Sequence, residues 1–482
     1  MSVIDDLEPK LVWKHFDEIR KIPRCSKHEE KIREYILNFA KKNNLKFKSD
    51  KPGNVVITKP ASKAMESKPA VILQGHMDMV CEKNSTLKFD FTKDSIQLKL
   101  KGDILTADGT TLGADNGIGL AISLAIIEDR NLKHGPIEGL YTVDEETGLT
   151  GAYALESNML TGKIMLNLDS EDFGVITVGC AGGGGSNIEL PVKTQKVNGN
   201  TQSMTIKVSG LRGGHSGVDI HEQRANAIKL LGRILWKAQI VHKFYISEIK
   251  GGDKHNAIPR EAYAKITVDK SEKDEFISTL KAEEKSIYEE IRPIDPHFKL
   301  EVQDSEKIQT MLTGDSQIKV LDLLHGLPHG VDKMSYDIPH LVETSTNLAT
   351  VSFNENKVML HLSTRSSIKT ALQDLRDRIH AVAELSGAKV TEEQPYPGWK
   401  PNLESKILKL SKKIFKDMYG NEPKVEAIHA GLECGIIGEK FPGMEMISIG
   451  PTLKYPHSPE EQLHVSTVGK FYRYLLKILE SV

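Results

Sequence analysis

Val71-Ile72-Leu73-Gln74-Gly75-His76-Met77-Asp78 is an apolar run that closes on a glycine, a histidine and, two positions later, an aspartate. A short apolar run bounded by a polar loop reads as a buried strand. Residues i and i+2 of an extended chain share a face, so His76 and Asp78 point the same way at the mouth of this strand. An imidazole with a carboxylate on its own side suits a metal ligand whose tautomer and orientation are set by an acid behind it. A hydrogen-bonded loop without a metal is the other reading of so short a pair, and neighbouring segments decide between them.

Before this strand, residues 29–44 space their apolar side chains at three and four, as an amphipathic helix does, and short strands are expected near Lys46-Phe47 and Asn54–Ile57. After it comes a hairpin-like region around Ile96–Leu100 and then the turn Asp108-Gly109-Thr110-Thr111-Leu112-Gly113-Ala114-Asp115-Asn116-Gly117. That turn opens onto Ile118–Ile127, apolar on every side and so a buried helix. Gly139–Val143 is a third strand, ending in Asp144-Glu145-Glu146-Thr147-Gly148. Lys163–Leu168 is a fourth, ending in Asp169-Ser170-Glu171-Asp172. Strands alternating with helices predict an α/β fold with a mainly parallel sheet covered by helices. Ligands of such sheets gather beyond the carboxyl ends of the strands. Those ends carry His76, Asp78, Glu145, Glu146 and Asp169.

The rhythm changes after Gly182-Gly183-Gly184-Gly185, a run that suits a hinge or a mobile loop. From Ser203 to about Leu385 the order of strands and helices is that of an antiparallel α+β insertion. Near Pro395–Pro401 the first pattern returns, with a helix over Glu404–Tyr419, a strand at Met446–Ile449 and a last helix over Thr467–Leu479. The predicted organisation is a domain in two parts, 1–185 and 395–482, interrupted by an inserted α+β domain at 186–394.

A chain of 482 residues is too long for one ordinary core. Lysine plus arginine (64) nearly balances aspartate plus glutamate (66), for a formal net charge of -2, and no basic tract offers nucleic acid a footprint. No apolar stretch approaches the ~20 residues of a membrane span, and Met1–Glu8 is acidic without a signal-peptide core. The expectation is a cytoplasmic enzyme with no nucleic-acid or membrane partner. Cys25, Cys81, Cys180 and Cys434 are far apart with no Cys-x-x-Cys, which predicts reduced thiols rather than a disulfide framework or a thiolate metal site.

The strand-ending acids are joined by His457, in the proline-pinned loop Tyr455-Pro456-His457-Ser458. Nitrogen and oxygen donors without thiolates suit zinc, with manganese or cobalt as substitutes. Two such ions need a bridging carboxylate, and an aspartate in the tight Gly113–Gly117 turn is placed for it. Glu145 and Glu146 are adjacent and diverge in an extended segment, so one is expected to ligate and the other to take a proton from the activated water.

These motifs together resemble the dizinc metallopeptidases that include carnosinase, carboxypeptidase G and the aminoacylases. The phrases Gly213-Gly214-His215-Ser216-Gly217-Val218-Asp219-Ile220-His221 and His429-Ala430-Gly431-Leu432-Glu433-Cys434-Gly435 bring it closest to the branch that cleaves aminoacyl-histidine dipeptides. The resemblance covers essentially the whole chain. It implies that His76, Asp115 and Asp169 hold one metal and that Asp115, Glu146 and His457 hold the other. Glu145 would be the general base and Asp78 would orient His76. The insertion would be a lid domain, contributing His215 to the oxyanion site and Asn256 and Arg365 to substrate binding; Gly431 also matches a substrate-side loop. The implied activity is hydrolysis of unblocked dipeptides of broad range, Xaa-His and β-alanyl-histidine included, with two divalent ions, zinc first, and a homodimer through the lid domain.

Overall fold

The computed structural model describes residues 2–354 and 356–482. It resolves into two compact units, one of Met1–Cys180, Trp399–Ala427 and Leu432–Val482, the other of Ala181–Gly398 with Ile428–Gly431.

In the first unit, four parallel strands lie side by side in the order Ile137–Thr142, Val71–His76, Ile164–Asn167 and Glu445–Ser448. Antiparallel neighbours, Val55–Lys59 and Val175–Cys180, extend the sheet on the two sides to eight strands. Every residue of Val71–His76 and of Ile137–Thr142 is buried, as expected of strands covered on both faces. The helix Ala114–Glu128 packs on these two strands and, on its other side, against the helix Lys10–Ile19. That is why Ile118–Ile127 lacks a polar face. Parallel alignment carries His76, Thr142 and Asn167 to the same edge of the sheet, and the loops that follow them begin there.

The second unit is built on a nine-stranded antiparallel sheet. Its helices Ala227–Val241, Lys273–Ile291, Gly314–Gly326 and Lys369–Leu385 close one core with it. Gly182–Gly185 is neither a hinge nor a loop. It is the start of the strand Gly182–Pro191, paired residue by residue with Lys357–Ser366. Side chains are excluded there for want of room: a Cβ on Gly182 would meet Gly398 N at 2.4 Å, and one on Gly183 the Tyr396 hydroxyl at 2.5 Å.

The cysteine expectation is corrected at one pair. Cys180 and Cys434 are buried free thiols, but Cys25 and Cys81 form a disulfide with their Cα atoms 5.7 Å apart. Their 56-residue separation hid the pairing. A parallel bridge from Cys25 to Met79 lays the chain before the second helix alongside the loop after His76. Closing a loop of this length in the unfolded chain is worth about 4 kcal/mol by the chain-entropy relation. Thiol titration of the denatured, unreduced protein is therefore expected to find two thiols per chain, and reduction is expected to lower the urea midpoint. Four thiols before reduction would remove this contribution. Among the described residues, no helix is long and apolar enough to cross a membrane.

Candidate active site

Five side chains from five separate segments meet in two groups that share one residue. His76, Asp115 and Asp169 place a ligand atom each within 4.8 Å of one another, and so do Asp115, Glu146 and His457. His76 Nε2 lies 3.1 Å from Asp115 Oδ1 and 3.4 Å from Asp169 Oδ1. His457 Nε2 lies 3.0 Å from both Asp115 Oδ2 and Glu146 Oε2. Asp115 thus turns one oxygen to each group, which is the disposition of a carboxylate that bridges two cations. Glu146 Oε1 and Asp169 Oδ1 are buried without an aligned hydrogen-bond donor. Burial, with the charges of Asp115 and Glu146 adding to it, pushes the Asp169 carboxyl up to about 6, and the hydrogen bonds that Asp115 and Glu146 accept from His457 push its imidazole up to about 11. Three converging carboxylates with two imidazoles fit divalent cations, and the nitrogen and oxygen donors suit zinc.

Glu145 stands beside these groups. The sequence reading placed Glu145 and Glu146 on an extended segment that sends them apart. The segment is instead a helical turn, Glu145–Gly148, entered from Asp144 in the left-handed region at φ 51°. Both carboxylates therefore come within reach of His76. Burial, and the neighbouring charges of Asp169, Glu433 and Glu146, hold the Glu145 carboxyl well above its ordinary range against the pull of His76.

Asp78, with 0% exposure, ties His76 to the Glu145 turn. Its Oδ1 is 3.3 Å from His76 Nδ1 and accepts from the Glu145 N–H at 3.0 Å. Its Oδ2 accepts from Ser26 Oγ at 2.8 Å and from the Glu146 N–H at 3.2 Å. Burial opposes its ionisation, yet the bonds from His76, Ser26 and Glu145 win and hold it at about 2. It is therefore an ionised carboxylate set 3.3 Å from the far ring nitrogen of His76, the place of an acid that orients an imidazole and leaves Nε2 to face Asp115 and Asp169.

The lid residues named from sequence lie in the second unit, where they gather around Gly217. A Cβ there would meet His429 O at 2.3 Å and both Arg365 Nε and His215 Cε1 at 3.1 Å. His215 Nδ1 accepts from Val218 N–H at 2.9 Å and Gly217 N–H at 3.2 Å, so in the neutral ring the proton is on Nε2. Burial and the Arg365 charge lower its basicity, favouring that neutral form. His215 pairs with Ala257 in a two-residue ladder, and the Ser216 N–H donates to Asn256 O at 2.8 Å, which sets the exposed Asn256 beside it. Arg365 is buried, donates from Nη1 to the Tyr396 hydroxyl at 3.0 Å, and leaves its Nε without an acceptor. Among the described residues no carboxylate pairs with it. Gly431 is half-buried, in the short segment Ile428–Gly431 that groups with this unit.

Residues 72–481 match the model of Peptidase family M20/M25/M40. The chain belongs to this family. The cytosol non-specific dipeptidase of Escherichia coli (strain K12) is 37% identical over 482 residues, covering 100% of this chain and 99% of that protein. The aminoacylhistidine dipeptidase of Vibrio alginolyticus is 39% identical and superposes with a TM-score of 0.94 over 100% of this chain and 98% of the other. Human carnosine dipeptidase 1, at 11% identity and a TM-score of 0.52 over 97% of this chain and 96% of its own, shares the fold alone. As a peptidase of this family the chain is a hydrolase of peptide bonds, which is the class of activity its motifs implied.

Three residues that hold this M20/M25/M40 site in shape carried no role in the sequence reading. Glu461 is 2% exposed. Its two oxygens accept from four successive backbone N–H groups, those of Leu112, Gly113, Ala114 and Asp115, at 2.8 to 3.1 Å. It caps the turn that carries Asp115, the residue the two groups share. Arg24, buried, donates to the carbonyls of Met77, Asp78 and Gly113. Gly113, at φ +68°, leaves it room, because a Cβ there would meet Arg24 Nη2 at 2.7 Å. Glu433, present in the sequence reading only within the 429–435 phrase, is 1% exposed and accepts from Gln74 Nε2 and Thr142 Oγ1 at 2.6 and 2.7 Å. Its position is beneath the His76 strand. Glu461→Ala would strand four buried donors, at about 1 to 3 kcal/mol for the first left unmet. We expect a loss of at least about 3 kcal/mol in urea unfolding together with reduced metal content, and Glu461→Gln, which keeps an acceptor, should recover part of both. Unchanged metal content in Glu461→Ala would show that the turn holds Asp115 without it.

Proposed function

We propose that this chain is a metal-dependent dipeptidase that hydrolyses unblocked dipeptides, aminoacyl-histidine dipeptides among them, with Glu145 as general base. The observation that carries the reading is Asp115, shared between two ligand groups, with a raised carboxylate, Glu145, alongside that belongs to neither. The names of the E. coli and Vibrio relatives, matched end to end, support the substrate class. His76, Asp115 and Asp169 would hold one divalent ion, and Asp115, Glu146 and His457 the other; zinc suits the donors best, with manganese or cobalt able to substitute. Bound there, the ions would supply Lewis-acid chemistry to a hydrolytic water and the scissile carbonyl. Glu145 would take the proton of the attacking water on its carboxylate and pass it to the leaving amine. Asp78 keeps His76 and the Glu145 turn in register. From the second unit, the His215 Nε2–H is a donor suited to a developing oxyanion, while Arg365 and Asn256 recognise the rest of the substrate, the part that the resemblance gave to the lid domain and to which Gly431 would add backbone contact. The reading includes a cytoplasmic protein, as the name of the E. coli relative suggests, and a homodimer through the second unit.

The test is a panel of free dipeptides, tripeptides and N-acyl amino acids, assayed after chelation and after return of zinc, manganese or cobalt. Dipeptides should be cleaved, far better than tripeptides, and only with metal restored. Preferential cleavage of N-acyl amino acids would overturn the dipeptidase reading in favour of an amidohydrolase.

A further inference from the structure

A separate group of donors lies on the sheet of the second unit. His255, His361 and Glu393 each offer a ligand atom within 4.8 Å of the other two, and none of them belongs to the groups described above. The sheet itself assembles them. Asn187, on the strand Gly182–Pro191, is paired with His361 on one side and with Thr391 on the other. Glu393 follows two residues after Thr391, its N–H bonded to Gly185 O. His255 comes from the loop ahead of Ala257–Ile258 and lays its ring on that of His361, centroids 4.0 Å apart and planes 25° from parallel. From this arrangement we propose that His255, His361 and Glu393 form a third metal site, selective for a zinc-like divalent transition ion.

Three features support it beyond proximity. Two imidazoles and one carboxylate make a set that zinc takes readily, with the remaining position left to water. Asn187 organises the set from behind: its amide donates to Glu393 Oε1 at 3.0 Å, which turns its carbonyl to His361 Nδ1 at 2.9 Å. With the proton of the neutral ring so held on Nδ1, 3.9 Å from Glu393 Oε1, the lone pair is on Nε2, and sharing an ion with it requires the Glu393 carboxylate to turn to that side of the ring. Space is reserved as well. A Cβ on Gly185 would stand 2.2 Å from Glu393 Oε2 and 2.8 Å from His361 Cε1.

His361 is 4% exposed and anchored, whereas His255 and Glu393 are exposed and free to close on an ion. Closure is needed, since donors around tetrahedral zinc, bound at roughly 2.0 to 2.2 Å, stand nearer to one another than 4.8 Å. An anchored ligand with two adjustable ones supplies it.

The experiment is equilibrium dialysis of the full-length protein against Zn2+, with bound metal counted by elemental analysis, in wild type, His255→Ala and Glu393→Gln. Both substitutions are at exposed positions and leave the buried His361 in place. Wild type should bind one ion per chain more than His255→Ala at the same free zinc, and Glu393→Gln should bind that extra ion at least tenfold more weakly. Ni2+ should compete for it and Mg2+ should not, because an imidazole pair discriminates between them. Equal zinc content in wild type and His255→Ala at every free concentration, or an extra ion retained by both variants, would overturn the site.

Discussion

Glu145→Gln is expected to lower kcat by about 10² to 10⁴, the ordinary scale for removing a general base, while metal content stays at the wild-type level. The two readouts separate because Glu145 belongs to neither ligand group that contains Asp115. Glutamine keeps the size of the side chain and the backbone N–H that donates to Asp78, so the turn should be preserved. His457→Ala is the matched control. It removes a ligand and should lose metal along with activity. The pH profile gives a further check whose sign follows from burial. A base must be unprotonated to act, so activity is lost as pH falls through its pKa. Because Glu145 is raised well above 4.5, the acid limb of kcat/KM should lie at higher pH than an ordinary glutamate would place it. The residual activity of Glu145→Gln should lack that limb. Turnover by Glu145→Gln at the wild-type rate would sink the assignment, as would metal loss equal to that of His457→Ala.

What could be read from the sequence here was whatever depends on strand ends. A parallel sheet delivers all its carboxyl-end loops to one edge, so His76, Glu146, Asp169 and His457 could be grouped without coordinates; Asp115, on the turn that opens the 114–128 helix, was added as a bridging acid, and the five do come together. The expectation of a discontinuous domain rested on rhythm as well, since a βα order that stops and resumes marks an insertion. What failed depended on local backbone or on pairings between distant segments. Glu145 and Glu146 diverge on an extended chain but not on the turn that the left-handed Asp144 starts. Gly182–Gly185 looks mobile in isolation, but its glycines are set by Tyr396 and the backbone near Gly398. The Cys25–Cys81 bond follows from one parallel bridge that no spacing rule reveals. Glu461 and Arg24 work on backbone groups of the 112–115 turn and the 77–78 loop, and a residue that binds backbone leaves no pattern in the side chains around its partner. The nearest signal was Glu461 itself, an acid closing the proline-pinned stretch that carries His457.

The second large effect concerns the substrate's own terminus. A buried guanidinium with no carboxylate beside it is costly, because desolvation is uncompensated. Arg365 stands in that condition: its Nε is unpaired, and its fixed hydrogen bond is to a neutral phenol, Tyr396. The charge also depresses the basicity of its neighbours. Burial first, then Arg365, takes His429 down to about 3, and the same two causes lower His215. Two imidazoles kept neutral around one guanidinium leave the local charge positive, and a planar fork of this kind binds a carboxylate through two parallel hydrogen bonds. The free α-carboxylate of a dipeptide is the substrate group of that shape and charge. A site built to pair such a group rejects an analogue that lacks it, since its own buried donors are then left unmet. We therefore expect a free dipeptide to exceed its C-terminal amide by about 10²-fold or more in kcat/KM. Arg365→Ala should collapse that ratio mainly by slowing the free dipeptide, with the amide little changed, and Arg365→Lys should fall between, keeping the charge without the fork. Reading the ratio within each variant removes any general loss of folded protein from the comparison. Equal cleavage of a dipeptide and its amide by the wild-type enzyme would show that Arg365 is unpaired for some other reason.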